Sequence, residues 1–281
     1  MSESSLTCEQ LIRKAVARID SETPRLDVEL IMESVTGWSR TSLRAWPERT
    51  LSDEQLAEFG HRVAQRAAGR PIAHILGEQA FWSLPLMVSD ATLIPRPDTE
   101  RLVETALDLP LAADARVLDL GTGTGAIALA LASEKPTWQI VACDAVPAAV
   151  ELARANARRL ELLLEVTRSH WFDDLPPGRF DLIVSNPPYI AADDRHLREG
   201  DVRFEPATAL VAGVEGLDDL RHIICEAPGW LSSGGWLLVE HGYDQGSAVR
   251  ELFEAAGLVD VSTIRDYGGQ PRLTRGRLPL S

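Results

Sequence analysis

The chain has 281 residues, of which 45% are hydrophobic and 25% charged, as expected for a globular protein that buries a core. This length suits one large domain with a smaller one, or two medium domains. The formal net charge of −14 argues against a protein that grips nucleic acid non-specifically, since such affinity comes largely from basic residues. We therefore expect no direct nucleic-acid partner.

The three cysteines and the N-terminus indicate the compartment in which the protein works. Cys8, Cys143 and Cys225 are far apart and lack the CxxC spacing of a zinc site or the even count of a disulfide framework. We expect neither a disulfide nor a bound metal. Residues 1–5 do not resemble a secretory signal, and no apolar run approaches the about 20 residues that a membrane helix needs. These features predict a soluble, cytoplasmic protein without a membrane partner.

The first third of the chain predicts a bundle of helices. Two capping boxes, Thr7-x-x-Gln10 and Ser52-x-x-Gln55, each introduce a helix with an apolar face. Between them, Thr23 is expected to cap a helix that has Pro24 at its first position and ends at Gly37. The residues expected on the buried faces are Leu11, Ile12, Ala15, Val16 and Ile19, then Leu26, Leu30 and Val35, then Leu56, Phe59 and Val63.

A hairpin and a stiff loop are expected to follow the bundle. Short apolar pieces between Phe81 and Val88 predict the hairpin. The proline-bounded segment 94–100 predicts a loop that caps the next helix through Asp98 or Thr99.

From residue 117 onward, apolar strands alternate with helices. The expected strands are 117–120, 139–143, 165–168, 181–185, 236–240, 258–265 and 271–278, and the expected helices are 126–132, 147–160, 217–231 and 244–256. Such alternation predicts an α/β fold with a doubly wound, mainly parallel sheet. We expect three parts: a small α-helical bundle domain at 1–77, a hairpin linker at 78–92, and the α/β domain at 93–281.

A glycine-rich loop follows the first strand of this domain. The run Gly121-Thr122-Gly123-Thr124-Gly125 lies between that strand and the next helix, where glycine allows a tight turn and a close approach to a ligand. Ligands of such sheets bind beyond the carboxyl ends of the parallel strands. The next strand ends at Asp144, about 20 residues on, where an acidic side chain suits the hydroxyls of a ribose.

The spacing of the glycines bears on the choice of ligand. Dinucleotide loops have the pattern GxGxxG and bind a pyrophosphate at the helix N-terminus, whereas glycine stands here at every second position after Asp119-Leu120. The run resembles motif I of the class I S-adenosylmethionine-dependent methyltransferases, whose loop backbone holds the amino-acid end of that cofactor. A dinucleotide loop and a purely structural turn remain the alternatives.

The tetrapeptide Asn186-Pro187-Pro188-Tyr189 follows another apolar strand and should reach the same edge of the sheet as the glycine loop. A planar NH2 group, as in an amide, is a poor nucleophile because its lone pair is delocalised. Two acceptors can hold it in line with a methyl donor: the side-chain oxygen of Asn186 and a backbone carbonyl, for which we favour Pro187. Neither proline has an N–H, and Tyr189 offers a flat face for stacking.

This chemistry needs no metal and no covalent nucleophile. It selects a planar NH2 group without distinguishing an adenine from a glutamine amide, and a plain polyproline-like turn is the alternative. The tetrapeptide resembles the motif shared by exocyclic-amine DNA and RNA methyltransferases and by glutamine methyltransferases that act on proteins.

The wider sequence separates these families. The runs that carry a further resemblance are 70–77, 94–100, 119–125, 184–190, 200–206 and 240–242. Together they resemble the bacterial release factor glutamine methyltransferase family over essentially the whole chain. The resemblance implies transfer of a methyl group from S-adenosylmethionine to the side-chain amide nitrogen of the glutamine in the Gly-Gly-Gln motif of peptide-chain release factors.

The resemblance also implies roles for single residues. The loop Gly121–Gly125 and Asp144 would hold the cofactor, and Trp171 would stack near its adenine. Asn186, Pro187, Pro188 and Tyr189 would together hold the glutamine amide, with Asn186 next to the cofactor as well.

Other residues and functions stay open at this point. Arg96 would aid the substrate or brace its loop, His241 is expected to be structural, and Gly268-Gly269-Gln270 is expected to be a turn between the last strands. The bundle at 1–77 is expected to help dock the substrate protein. The alternative functions are a nucleic-acid amino-methyltransferase, a glutamine methyltransferase of a ribosomal protein, and a non-catalytic protein that binds the cofactor.

Overall fold

The computed structural model describes residues 6–198 and 200–280 of the chain. These residues form two compact units. The first contains the described residues up to Gly77 together with Gly200–Phe204, and the second contains the other described residues from Glu78 onward. Within the described ranges, no helix is both long enough and apolar enough to cross a membrane.

The first unit is a helical bundle. Its helices are α1 (Cys8–Val16), α2 (Pro24–Thr36), α3 (Arg40–Ala45), α4 (Asp53–Ala67) and α5 (Ile72–Leu76). Both predicted capping boxes are confirmed. The Thr7 hydroxyl accepts a hydrogen bond from the N–H of Gln10 at 3.4 Å, and the Ser52 hydroxyl accepts one from Gln55 at 3.2 Å. The short helices α3 and α5 carry no apolar stripe long enough to predict them.

Helix α2 differs from its prediction in two respects. Thr23 precedes it, but the Thr23 side chain makes no capping hydrogen bond and instead donates to Oδ1 of Asp27 at 3.4 Å. The residues on its buried face are Val28, Ile31 and Met32 in place of the predicted Leu26, Leu30 and Val35, which are only partly buried. The face is rotated because Asp27 and Glu29 are buried on it as well, although hydrophobic periodicity assigns carboxylates to the solvent side.

Arginines make the burial of these two carboxylates possible, since buried charges need partners. Arg66, itself buried, donates from Nε to Oδ2 of Asp27 at 2.7 Å. The arginines that pair with Glu29 are Arg25, Arg40 and Arg44. From Nη1, Arg66 also donates to Oδ1 of Asp201 at 3.0 Å. This ion pair joins Gly200–Phe204 to the first unit, a link that no local sequence pattern predicts.

The second unit begins with the predicted hairpin and continues through a turn into a helix. These elements are β1 (Glu78–Phe81), β2 (Leu84–Met87), a 3₁₀ turn (Pro97–Thr99) and α6 (Glu100–Leu107). The predicted cap of α6 is wrong: Asp98 lies inside the 3₁₀ turn, and Thr99 makes no capping hydrogen bond. A capping residue needs an extended backbone, whereas Thr99 has the helical angles φ −67° and ψ −21° because the turn runs directly into the helix.

Strands and helices alternate through the rest of the second unit. The strands are β3 (Arg116–Leu120), β4 (Gln139–Asp144), β5 (Glu165–Arg168), β6 (Phe180–Ser185), β7 (Leu231–Glu240), β8 (Val259–Arg265) and β9 (Pro271–Arg277), and the helices are α7 (Ala126–Glu134), α8 (Pro147–Arg159), α9 (Asp218–Trp230) and α10 (Gly246–Ala255). The strand order is β5-β4-β3-β6-β7-β9-β8. Strands β3 to β7 pair in parallel, and β9 pairs antiparallel with β7 and β8. The predicted doubly wound, mainly parallel α/β fold is confirmed.

Alternate residues of the central strands lie in two separate cores. On one face, Val117 and Leu182 pack in a core with residues of α6, α7 and α8. On the other face, Leu118 and Ile183 pack with residues of α9 and α10. Strands that are buried on both faces read as continuous apolar runs, which is why β3 and β6 are recognisable from the sequence.

The run Gly268-Gly269-Gln270 lies in the expected turn between β8 and β9. Asp266 closes this turn, since Oδ1 accepts a hydrogen bond from the N–H of Gln270 at 2.9 Å and its carbonyl accepts one from Gly269 at 3.0 Å. Gly269 has a φ of +83°, a conformation that favours glycine. The turn therefore accounts for the composition of this run.

A fully buried asparagine of α8 ties the hairpin to the glycine loop. Oδ1 of Asn156 accepts a hydrogen bond from the N–H of Met87 at 2.8 Å. Its Nδ2 donates to the carbonyl of Met87 at 3.0 Å and to that of Thr124 at 2.9 Å. The side chain thus satisfies backbone groups of β2 and of the loop before α7.

We expect Asn156→Ala to destabilise the protein. The substitution removes the partner of one N–H and two carbonyls, and each buried group left without a partner costs about 1–3 kcal/mol. The free energy of unfolding, measured by urea denaturation, should fall by at least about 2 kcal/mol. Arg158→Ala, at an exposed position of the same helix, is the control and should change it by less than about 0.5 kcal/mol. An equally small change for Asn156→Ala would contradict this role.

Candidate active site

The register of the parallel strands brings three loops to one edge of the sheet. In β3, Leu120 lies opposite Cys143 of β4 and opposite Ser185 of β6. Ser185 reinforces this alignment, since its hydroxyl donates to the carbonyl of Leu120 at 2.8 Å. The residues that leave the sheet next to one another are therefore Gly121, Asp144 and Asn186.

The glycine loop has a backbone that its glycines make possible. Gly121, Gly123 and Gly125 have φ angles of +70°, +56° and +85°, which favour glycine. A Cβ added at Gly121 would lie 3.1 Å from Cζ3 of Trp171, closer than side chains normally pack. The missing side chain therefore lets the Trp171 ring lie against the backbone of the loop.

A cavity of about 420 Å³ adjoins this loop, a volume within the range of small-molecule sites. The predicted site residues that line it are Gly121, Thr122, Gly123, Thr124, Asp144, Trp171, Asn186, Pro188 and Arg96. Gly125, Pro187 and Tyr189 are not among the lining residues. The cavity thus unites almost all of the predicted cofactor residues with part of the predicted substrate residues.

Asp144 supports the glycine loop and still has room for a ligand. Its Oδ2 accepts a hydrogen bond from the N–H of Gly123 at 2.9 Å, and its Oδ1 accepts one from Val146 at 2.9 Å. Burial raises the pKa of this carboxyl, and the two backbone N–H groups oppose the rise. A carboxylate has about four lone-pair sites, so acceptor capacity remains for hydroxyl donors in the cavity.

Asp119 braces the loop from inside the sheet. It is fully buried, and its Oδ2 accepts a hydrogen bond from the hydroxyl of Thr122 at 2.6 Å. Among the described residues, its Oδ1 has no hydrogen-bond partner. Burial raises the pKa of Asp119 to about 7, and the bond from Thr122 offsets only part of that rise. This residue does not line the cavity.

The side chain of Asn186 presents one engaged and one unengaged polar atom. Its Nδ2 donates to the hydroxyl oxygen of Thr99 at 3.2 Å. Its Oδ1 is buried and has no hydrogen-bond partner within the described part of the chain. Since Asn186 lines the cavity, a side chain with an unused acceptor borders the space that a ligand would enter.

The other residues of the tetrapeptide lie around Asn186. Pro187 is buried and Pro188 lines the cavity. The hydroxyl of Tyr189 donates to Oε1 of Glu240 at 3.2 Å, and its ring packs against the core formed with α9 and α10. Burial raises the pKa of the Tyr189 hydroxyl well above its usual value. Tyr189 is thus anchored by Glu240 and by this core. Its stacking on a substrate stays a prediction.

Arg96 lines the cavity and also braces its loop. Its guanidinium binds the buried carboxylate of Glu205, which accepts a second hydrogen bond from the N–H of Ile94 at 3.0 Å. His241 is fully buried outside the cavity, with Nδ1 2.8 Å from the carbonyl oxygen of Gly242. Its Nε2 lies 2.9 Å from the Thr274 hydroxyl, and burial lowers the pKa of the imidazole.

Three residues of this region are not among the predicted site residues: Thr99, Asp219 and Glu240. Thr99 and Asp219 line the cavity, and burial raises the pKa of Asp219. Glu240 ends the apolar strand β7 as Asp144 ends β4. The rule that acidic residues at strand ends face the ligand edge therefore identifies Glu240 as well, once it is applied to every strand.

Family models and relatives match most of this chain. The PrmC N-terminal domain model matches residues 10–77, and the methyltransferase small domain model matches residues 97–209. The release factor glutamine methyltransferase of Pseudomonas aeruginosa is 58% identical over 92% of this chain and 94% of that protein. The proteins of that name from Escherichia coli K12 and Vibrio cholerae are 53% and 51% identical, over 95% and 97% of this chain and 97% of each relative. The chain belongs to the release factor glutamine methyltransferase family.

Membership of this family makes the chain a methyltransferase and confirms the resemblance that its motifs predict. Two solved structures share the fold at low sequence identity, which shows the fold alone. A methyltransferase from Pyrococcus furiosus has a TM-score of 0.56 at 18% identity, over 79% of this chain and 100% of that one. The hMettl16 catalytic domain has a TM-score of 0.58 at 17% identity, over 84% of each chain.

We expect Gly121→Ala to weaken the binding of S-adenosylmethionine at least about tenfold, a loss of about 1.4 kcal/mol. The new Cβ strains a backbone with φ +70° and displaces the Trp171 ring that borders the cavity. Isothermal titration calorimetry measures the affinity. The matched control is Gly257→Ala, at φ +80° with no atom within 4 Å of the added Cβ, which should lose about 1–2 kcal/mol of stability and bind normally. Unchanged affinity in Gly121→Ala would contradict the placement of the cofactor.

The raised pKa of Asp119 predicts a particular dependence of stability on pH. Its pKa is about 7 when folded and about 4 when unfolded, so the folded state alone keeps this proton between those values. Stability from this group is therefore present below about pH 4 and is lost as the pH rises to about 7. Urea denaturation measures the free energy of unfolding. Between about pH 5 and pH 7.5, this free energy should rise by about 1–3 kcal/mol in Asp119→Asn relative to the wild type. The variant Asp108→Asn, at an exposed position, should have the same pH dependence as the wild type. If Asp119→Asn has that pH dependence too, the raised pKa of Asp119 is refuted.

Proposed function

We propose that this chain transfers the methyl group of S-adenosylmethionine to the side-chain amide nitrogen of the glutamine in the Gly-Gly-Gln motif of peptide-chain release factors. The observation that carries the proposal is the buried, unpartnered Oδ1 of Asn186 at a cavity that also contacts the glycine loop. An acceptor at this place suits a substrate with a planar NH2 group. The printed names of relatives that are 51–58% identical support release factor glutamine as that substrate.

The residues that surround the cavity fit S-adenosylmethionine. When bound, this cofactor supplies a methyl group on a positively charged sulfur. The glycine loop can hold the amino-acid end through its backbone, because its glycines have no side chains to cover that backbone. Asp144 has acceptor capacity beyond its bonds to Gly123 and Val146 and can bind ribose hydroxyls. Trp171 offers an aromatic face for the adenine.

The tetrapeptide would hold the glutamine amide. Oδ1 of Asn186 would accept one N–H, and the carbonyl of Pro187 would accept the other. These two acceptors orient the nitrogen toward the donor, and orientation alone is worth about 7–11 kcal/mol of barrier in favourable cases. Pro188 lines the cavity beside them and adds no competing N–H donor. The first unit, which carries the predicted docking role, would supply part of the surface for the release factor, because one side chain offers little area for specificity.

Two alternative substrates have weaker support. A nucleic-acid amino group would use the same acceptors, but the net charge of −14 makes the chain a poor ligand for a polyanion. A ribosomal-protein glutamine would also suit the site, and only the names of the relatives speak against it. A non-catalytic cofactor-binding protein would have no use for an oriented acceptor on Asn186.

The proposal predicts which macromolecule accepts a tritiated methyl group. Release factor, release factor with its Gly-Gly-Gln glutamine changed to alanine, a ribosomal-protein mixture, DNA and RNA are incubated in parallel with the enzyme. Label should enter only the release factor that keeps its Gly-Gly-Gln glutamine. The variant Asn186→Ala should bind the cofactor normally and lose at least about 100-fold in turnover, since it lacks an acceptor for the reacting nitrogen. Label confined to nucleic acid or to a ribosomal protein would refute the proposed substrate, and full turnover by Asn186→Ala would refute the proposed role of this residue.

A further inference from the structure

Glu240 is a buried carboxylate that the proposed function does not use. It lies at the carboxyl end of β7 and is 2% exposed. Its Oε1 accepts the hydrogen bond from the Tyr189 hydroxyl at 3.2 Å, and its Oε2 has no hydrogen-bond partner among the described residues. A buried carboxylate oxygen without a donor is costly, so the presence of Glu240 at this place needs a physical reason.

Thr99 connects this carboxylate to Asn186. The Thr99 side chain is buried near Glu240 and stabilises the ionised form of that carboxyl, and the unpartnered Oε2 is the acceptor left for its hydroxyl proton. The Thr99 oxygen accepts the hydrogen bond from Nδ2 of Asn186 at 3.2 Å. A hydroxyl has one proton to donate and two lone pairs with which to accept. The proton of Thr99 is therefore available to Glu240, and its oxygen to Asn186.

The two ends of the Asn186 amide have nearly the same shape, so packing alone does not decide which end faces Thr99. Hydrogen bonding decides it. An ionised carboxylate can only accept, so the Thr99 hydroxyl can turn its proton to Glu240 but cannot accept one from it. The Thr99 oxygen then acts as an acceptor and selects the NH2 end of Asn186. The oxygen end of the Asn186 amide then faces away from Thr99, which agrees with an Oδ1 that has no hydrogen-bond partner among the described residues.

We propose that Glu240 is a positioning residue, which acts through the Thr99 hydroxyl to hold the Asn186 amide with its oxygen available to the substrate nitrogen. The catalytic consequence rests on the proposed function, whereas the orientation is a property of the protein without any ligand. A glutamine at position 240 would carry donors of its own. It could donate to Thr99, which would then be free to donate to Asn186 and to turn the NH2 end of that amide toward the substrate NH2.

The surroundings of Glu240 agree with a carboxylate that only accepts. Burial raises its pKa to about 7, and Thr99, Arg272 and Tyr189 oppose that rise, while the nearby charge of Asp98 adds to it. The carboxyl is therefore ionised above neutral pH, where the arrangement with Thr99 holds. Arg272 contributes positive charge from β9 and is itself held by Asp266, with Nε 3.1 Å from Oδ2.

The composition of the chain permits a direct test of the orientation. Asn156 and Asn186 are the two asparagines of the sequence, so asparagine labelled with ¹⁵N in its side chain gives two NH2 pairs in an NMR spectrum of the ligand-free protein. Asn186→Ala assigns the pairs by removing one. Asn156, bonded to Met87 and Thr124, serves as an internal control for an intact fold. Spectra are recorded at pH 8.

The inference predicts that Glu240→Gln and Thr99→Val shift the Asn186 pair and speed its exchange with water at least about tenfold, as expected when a hydrogen bond is lost. The Asn156 pair should stay unchanged. Thr99→Ser keeps the hydroxyl and should restore the wild-type spectrum. Thr105→Val removes the hydroxyl of another buried threonine, on α6, and should leave both pairs in place. If Glu240→Gln also disturbs the Asn156 pair, Thr99→Val, which keeps the volume of the side chain, decides the matter.

Kinetics then test the consequence. Turnover should fall at least about tenfold in Glu240→Gln and Thr99→Val, with cofactor affinity unchanged and with rescue by Thr99→Ser. An unchanged Asn186 pair in both variants would overturn the inference. So would an effect reproduced by Tyr189→Phe and absent from Thr99→Val, since Glu240 would then act through Tyr189. If the NMR results hold while the wild-type enzyme does not methylate release factor, the proposed function fails and the positioning by Glu240 stands.

Discussion

The site depends on the pairing of β3 with a parallel neighbour on each side. Leu120 is opposite Cys143 in β4 and Ser185 in β6, and the hydroxyl of Ser185 bonds to the carbonyl of Leu120. A slip of one residue in either pair would turn every side chain of that strand to the other face. Because alternate residues fill two separate cores, such a slip would bury polar groups and expose apolar ones. The packing of the sheet therefore sets the relative positions of the glycine loop, Asp144 and Asn186.

Buried carboxyl groups lie near the carboxyl ends of these strands. Asp119, Asp144 and Glu240 have pKa values raised first of all by burial. Each is held by nearby donors: the Thr122 hydroxyl, backbone N–H groups of the loop, and the Tyr189 hydroxyl. Burying charge opposes folding, so these carboxylates place an electrostatic cost on this edge of the sheet. Functional sites typically show this pattern, because a buried acceptor can order the donors around it and still serve a ligand.

Much of the fold follows from local sequence patterns, and the failures have identifiable causes. Capping boxes and apolar periodicity predict α1, α4 and the strands of the sheet because both signals are local. Strand β7 begins at Leu231 rather than at 236, since the glycines at 234 and 235 weaken the strand signal. The buried face of α2 is misjudged because its carboxylates pair with arginines. The inclusion of Gly200–Phe204 in the first unit depends on Arg66 and Asp201, which are 135 residues apart.

The site was predictable to a similar extent. Glycine spacing and the strand-end rule identify the loop, Asp144 and Asn186, which line one cavity together with Trp171. The sequence assigns Thr99 to a helix cap and Tyr189 to a stacking face, since hydrogen bonds between distant residues leave no local pattern. Thr99 contacts Asn186 across 87 residues, and Tyr189 contacts Glu240 across 51. The second contact arises because β6, which precedes Tyr189, and β7, which ends at Glu240, are neighbours in the sheet.

The ion pair between Arg66 and Asp201 has a consequence for the order of events during synthesis. Domains generally fold as units from the N-terminus as the chain leaves the ribosome. The helices of the first unit are complete at Leu76, yet one of the partners of the buried Arg66 guanidinium emerges 135 residues after it. At about 5–20 residues per second, that delay is on the order of ten seconds. A nascent chain therefore carries a bundle in which Arg66 has Asp27 but not Asp201 as a carboxylate partner until most of the second unit has been made.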